Sequence, residues 1–184
     1  MKSKRVLPMP SFVDPSAGKS PVESSTEKIK DRLVGRVFRY LGTKDRTIHE
    51  IEEVSTKYLL RYDSLSPTDR DELVSFVVKH VQALGYLDDL TYTKAYIEEQ
   101  KNARMPRGPN YIRQFLFRKG VPDQIIKSNL ADYYSSEEEE TAIKGIVNSR
   151  KGANIREGAD RRKLVSFLLR RGFNPSLVKK ILSC

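Results

Sequence analysis

IRQFLFRKGVPDQIIKSNL, residues 112–130, returns fifty-two residues later as LVSFLLRRGFNPSLVKKIL, residues 164–182. Setting Gly120 on Gly172 places Ile112 on Leu164, Phe115 on Phe167, Leu116 on Leu168, Val121 on Phe173, Ile125 on Leu177, Ile126 on Val178 and Leu130 on Leu182. Apolar residues at three- and four-residue spacings on either side of a glycine describe a helix, a tight turn and a short helix. Such a unit cannot bury its apolar face alone, so neighbouring units must stack. The expected result is an elongated array with contacts mainly between adjacent repeats.

The same spacing extends upstream to Glu27, and no run alternates long enough for a sheet, so the body is expected to be all-α. Ile29, Leu33, Val37 and Leu41 form a first stripe that stops at Gly42. Thr47 and Glu50 make a capping box for a second helix with the stripe Ile51, Val54 and Tyr58. Ser66-Pro67 opens a third, with Leu73, Val77, Val81 and Leu84 as its stripe and Gly85 as its end. Further helices open at Asp88-Asp89, after Gly108-Pro109, after Val121-Pro122 and at Ser135-Ser136. Residues 1–26 hold four of the nine prolines among serines without periodicity, the composition of a disordered tail. The organisation expected is therefore a tail over 1–26 and three three-helix repeats over 27–87, 88–134 and 135–184.

Composition narrows the function. The 184 residues are 38% hydrophobic and 32% charged, enough for a core beneath an unusually charged surface. Thirty-four Lys and Arg against 24 Asp and Glu give a formal charge of +10, which favours an anionic partner, with nucleic acid or a protein wrapped on it first. One cysteine, Cys184, allows no internal disulfide and fits a reducing compartment. With only two histidines, a zinc site is not expected. No stretch approaches the roughly 18 apolar residues of a membrane span, nor do the first 30 residues read as a signal peptide, so a soluble cytoplasmic protein is expected.

Several catalytic look-alikes fail. Gly18-Lys19-Ser20 ends like a phosphate-binding loop, but Val13 stands where the first glycine belongs. His49-Glu50 begins a zinc-protease helix, but Glu53 occupies the place of the second histidine. Asp88 and Asp89 diverge by about 100° around a helix, which suits capping better than paired acid and base work. The run Glu137–Glu140 complements the positive end of a helix. No nucleophile has a placed base, so no enzyme activity, metal or cofactor is expected.

The basic residues are more informative. Residues 27–87 carry eleven basic and ten acidic side chains, residues 88–134 eight and six, and residues 135–184 eleven and six. On the helix through 164–170, Leu164, Phe167 and Leu168 face one way while Arg162, Ser166 and Arg170 form a ridge on another side. Arg150, Lys151, Arg156, Arg161, Lys163 and Arg171 add to the cationic cluster.

The stretch Gly85-Tyr86-Leu87-Asp88-Asp89, with Tyr92, Tyr96 and Ile97, then Arg107-Gly108-Pro109, Ile112-Arg113, Leu116 and Lys119-Gly120-Val121, resembles the RecX family of recombinase regulators. The resemblance covers about residues 30–184 and is strongest from Val77 to Leu130. It implies three tandem three-helix repeats and no catalytic centre. It also implies binding in the helical groove of the RecA filament on DNA, where such a protein restrains the recombinase in recombination, DNA repair and the SOS response. DNA is a further partner and the protein is expected to act as a monomer. Within the motif Gly85, Tyr86, Leu87, Asp88, Asp89, Tyr92, Tyr96, Gly108 and Gly120 are expected to be structural. Arg107, Arg113, Arg118 and Lys119, with Arg161, Arg162, Lys163, Arg170 and Arg171, form the expected partner-binding set. The same basic patch leaves open a stand-alone helical nucleic-acid binder, whose affinity for DNA falls steeply with salt without any recombinase. An adaptor for an unrelated acidic protein is the third reading.

Overall fold

The computed structural model describes residues 21–151 and 158–183. Its helices are α1 (Pro21–Leu41), α2 (Ile48–Leu59), α3 (Pro67–Ala83), α4 (Asp89–Lys101), α5 (Pro109–Arg118), α6 (Asp123–Tyr133), α7 (Ser136–Lys151), α8 (Gly158–Arg170) and α9 (Pro175–Ser183). No strand occurs among the described residues, and no helix is long and apolar enough to cross a membrane. Residues 1–20, which hold most of the expected tail and Gly18-Lys19-Ser20, lie outside the described residues, as do Arg156 and Cys184. The sequence reading carries the tail to residue 26, whereas α1 begins at Pro21. Packing of the Ile29, Leu33 and Val37 stripe carries the helix upstream through these residues.

The chain divides into two compact units. The first contains the residues up to Arg46 and Ile51–Leu87. Its core joins Ile29, Leu33 and Val37 of α1 to Ile51 and Leu59 of α2 and to Leu73, Val77 and Val81 of α3. Ser66 caps α3 by accepting the Asp69 N–H at 3.1 Å while the Asp69 carboxylate accepts the Ser66 N–H at 3.1 Å. Gly85 ends that helix at φ 74°, a left-handed conformation that glycine adopts without a Cβ penalty. Leu41, Val54, Tyr58 and Leu84 depart from the expected stripes, Leu41 being half-buried at the end of α1. The buried row of α2 is Ile51, Ser55 and Leu59, with Val54 and Tyr58 half-buried beside it, because the row follows i, i+4 spacing through a serine. Leu84 is exposed, since it stands at the C-cap, where α3 is already leaving the core.

The second unit contains Thr47–Glu50 and the chain from Asp88 onward, so the expected divide at 134/135 falls inside it. One core cluster gathers Ile97, Ile112, Leu116, Val121, Ile126 and Tyr134. Another gathers Ile143, Ile146, Val147, Leu164, Leu168, Phe173 and Val178. Every apolar pair matched across the fifty-two-residue offset shares one environment. Ile112/Leu164, Leu116/Leu168, Val121/Phe173 and Ile126/Val178 are buried, whereas Phe115/Phe167, Ile125/Leu177 and Leu130/Leu182 are half-buried. Each such buried aliphatic or aromatic side chain stabilises the fold by about 1.5–3 kcal/mol.

Both glycine turns of this unit receive the start of an earlier helix. Thr47 Oγ1 donates to the Lys119 carbonyl at 2.7 Å and accepts the Glu50 N–H at 3.3 Å, while Glu50 accepts the Thr47 N–H at 3.3 Å. Gly120, at φ 75°, lies directly against His49. At the second turn Gly108 N–H donates to the Arg171 carbonyl at 2.9 Å and Asn110 N–H to the Gly172 carbonyl at 3.1 Å. Gly172, at φ 82°, lies directly against Tyr111, and Gly108 lies against Gly172 itself.

Candidate functional site

The motif from Gly85 onward builds the frame for the site. Tyr86 meets Phe38 edge-on at 5.8 Å, and Leu87 is buried. Asp88 caps α4 by accepting the N–H groups of Leu90 at 3.0 Å and Thr91 at 3.2 Å. Its carboxyl is held below the usual range, first by the Thr91 hydroxyl and then by those amides. Asp89 is buried and accepts the Ile48 N–H at 3.0 Å, so it caps the first turn of α2 instead of its own helix. Tyr92 packs on the first core cluster of the second unit. Tyr96 stacks on Phe115 at 4.3 Å, and burial pushes its phenol up.

The basic residues separate into holders and exposed groups. Lys119 bonds Glu50 at 2.6 Å with both side chains largely covered. Arg171 donates to the Pro106 carbonyl at 2.8 Å and also to that of Met105. These two side chains fasten the turns to the preceding helix starts, and their charge is spent inside the protein. Arg107 lies over the Tyr111 ring at 4.2 Å. Arg161, Arg162, Lys163 and Arg170 are exposed on α8, with Lys163 3.2 Å from Asp160. Arg162, Lys163, Ser166 and Arg170 line a shallow hollow of about 450 Å³, so the ridge expected from the sequence faces solvent. Arg150 and Lys151 close α7.

A larger groove, about 950 Å³, runs along α5, α8 and the start of α9. It brings together Arg113, Arg118 and Arg170 beside Tyr111, Phe117 and Leu169. Phe117 is 66% exposed and Leu169 41%, so each would gain from burial against a partner. Arg113 is oriented by Asp123, whose carboxylate accepts from Nη2 at 2.9 Å and Nε at 3.2 Å. Lys127 and Arg113 together hold the Asp123 carboxyl below its usual range. Among the described residues Arg118 donates only to the Gln114 carbonyl of its own helix, at 3.3 Å.

Sequence reasoning missed the apolar half of this groove. Its signal is in the repeat: Phe117-Arg118 and Leu169-Arg170 stand fifty-two residues apart, each an apolar residue off the buried stripe followed by arginine. Equivalent positions of two helical hairpins thus present an exposed hydrophobe and a guanidinium to one groove.

Fold and groove define an all-α protein that offers arginines beside uncovered apolar side chains, residue types enriched at protein interfaces. No family model matches the sequence. Curated relatives do. The "Regulatory protein RecX" of Lactobacillus delbrueckii subsp. bulgaricus is 33% identical over 146 residues, covering 78% of this chain and 49% of that one. The protein of the same name from Deinococcus radiodurans is 31% identical over 152 residues, covering 83% of this chain and 67% of that one. The chain belongs to the RecX family of regulatory proteins. It spans about half the length of the Lactobacillus relative. A crystal structure of a regulatory protein RecX shares the fold, with a TM-score of 0.67 at 24% identity over 88% of this chain and 75% of that one.

Proposed function

We propose that this chain regulates a RecA-type recombinase by binding its filament on DNA and restraining its activity in recombination and repair. In this reading the protein acts as a monomer in the cytoplasm, by binding alone and without a reaction of its own. The α5–α8 groove is the contact surface. Arg118 and Arg170 pair with acidic groups or phosphates of the filament, Arg113 assists, and Phe117 and Leu169 become covered. The observation that carries the reading is the matched Phe117-Arg118 and Leu169-Arg170 pairs lining one groove in a member of the RecX family. The repeated docking of a helix start on a glycine turn further supports tandem three-helix repeats over 27–87, 88–134 and 135–184.

A bound protein opposes or releases the filament only if it prefers one filament state over another. The test is DNA-dependent ATP turnover by the cognate recombinase, with and without the protein. Wild type should slow turnover, and Arg118→Glu with Arg170→Glu should remain folded yet lose most of that restraint, because two attractions become repulsions. Full restraint by the folded double variant would remove the groove from the reading. An unaltered recombinase alongside salt-sensitive DNA binding by wild type would favour the stand-alone nucleic-acid binder.

A further inference from the structure

The first unit carries a cationic cluster that its near-balanced charge conceals. Arg32 and Arg36 lie one turn apart on α1 and Arg61 follows α2. They gather around Tyr58 and Tyr62, whose hydroxyls are 2.9 Å apart and whose rings meet at 5.7 Å. Arg36 and Arg61 stand over the Tyr58 ring at 5.2 and 5.7 Å. Arg70 of α3 donates to the Tyr62 carbonyl at 3.0 Å. The Nε atoms of Arg36 and Arg70 are buried without a hydrogen-bond partner among the described residues.

No carboxylate pairs with Arg32, Arg36 or Arg61 among the described residues. Elsewhere in the protein Arg113, Lys101 and Lys119 are each matched to an acid. Like charges gathered without a counter-charge raise the energy of the free protein, and an incoming anion relieves it. Of the two tyrosines, Tyr58 is held above the ordinary phenol range by its bond with Tyr62 and by burial. Tyr62 is held below the ordinary phenol range by its bond with Tyr58 and then by Arg32 and Arg61. A guanidinium over a ring uses its face and keeps the in-plane N–H fork that matches an oxyanion.

We infer that Arg32, Arg36 and Arg61, set around Tyr58 and Tyr62, form a binding site for the phosphodiester backbone of single-stranded nucleic acid. Arginines interleaved with aromatic side chains are the usual make-up of such sites. Arg32 and Arg61 are exposed, so a lone phosphate ion would gain only local pairing, whereas a polyanion also releases its condensed counterions. The site is independent of the α5–α8 groove and of the recombinase reading.

The test measures anisotropy of a fluorescein-labelled oligothymidine with the full chain over a salt series. Each phosphate contact on a single strand contributes a slope of about −0.7 in log K against log salt. Arg32→Gln with Arg61→Gln should therefore flatten the slope by about 1.4 and weaken low-salt binding at least severalfold, with an unchanged melting temperature. Should that variant melt early, Arg61→Gln alone, outside any helix, should show about half the change in slope. An unchanged slope and affinity in a folded variant would overturn the site. So would equal displacement of the oligothymidine by inorganic phosphate, which would make it an ion site, or by polyglutamate, which would make it a protein-docking site. No recombinase enters this assay, so its failure and the failure of the proposed regulation are read separately.

Discussion

Replacing Gly172 with alanine, against the same change at Gly85, separates two reasons for glycine in a turn. Both residues hold left-handed backbone, at φ 82° and 74°, which costs an L-residue about 1–2 kcal/mol. Alanine also restricts the unfolded chain, which offsets about 0.4–1 kcal/mol of that. At Gly85 a Cβ would meet nothing within 4 Å, so the net loss should be about 1 kcal/mol. At Gly172 a Cβ would stand 2.5 Å from the Tyr111 Cβ and 2.8 Å from its Cα. Backbone cannot rotate away as a side-chain tip can, and forced overpacking adds about 1–3 kcal/mol. The expected loss at Gly172 is then about 2–4 kcal/mol. For a chain of this size each kcal/mol lowers Tm by about 2–4 °C. Thermal melting by circular dichroism at 222 nm, with urea unfolding of both variants, gives the comparison. Equal losses at the two positions would refute the argument that the α5 start needs this close approach to the turn.

Other expectations concern buried acids and the exposed ridge. Glu139 is buried and accepts the Asn174 N–H at 2.6 Å, and burial raises its pKa despite that bond. Native protein therefore holds this proton more tightly than unfolded chain, so the residue's effect on stability worsens as pH rises through the raised value. Glu139→Gln keeps an acceptor for Asn174 and should melt higher than wild type near pH 8, with the two converging below about pH 4; a constant gap in a pH series of melts would contradict this. Asp89→Ala should cost about 1–2 kcal/mol in urea unfolding, because it strips the cap from Ile48, and a neutral result would show that water replaces the carboxylate. Arg162→Glu with Arg170→Glu should leave helicity intact and weaken restraint of recombinase ATP turnover. Wild-type restraint by that variant would exclude the α8 ridge as a contact.

The helical frame was legible because its signals are local. Thr47 with Glu50 and Ser66 before Pro67 mark helix starts, and Gly85, Gly120 and Gly172 mark ends, all within a few residues of the event. The repeat revealed which residues are buried in the second unit, since a matched pair must satisfy two cores at once. Side chains whose role depends on distant partners were not legible. Lys119 and Arg171 read as surface charge until Glu50 and the carbonyls at 105 and 106 are seen beside them. Asp89 reads as a cap for α4 and in fact caps α2. Tyr58 reads as core, yet it sits among arginines drawn from separate elements, an arrangement that no local spacing encodes. Phe117 and Leu169 break the apolar stripe in the same way at equivalent positions, which a reading limited to buried matches passes over.

The Arg171 clamp also sets an order of events during synthesis. Its guanidinium closes on carbonyls made 65 and 66 residues earlier, and its carbonyl receives the Gly108 amide. On the ribosome, at roughly 5–20 residues per second, residues 105–108 wait about 3–13 s before their partner has even been polymerised. During that interval α4, α5 and α6 can assemble around Ile97, Ile112 and Leu116, but the start of α5 remains open. Its last contacts arrive only with the helix that completes the neighbouring core, so the start of α5 closes late, together with the α8–α9 turn.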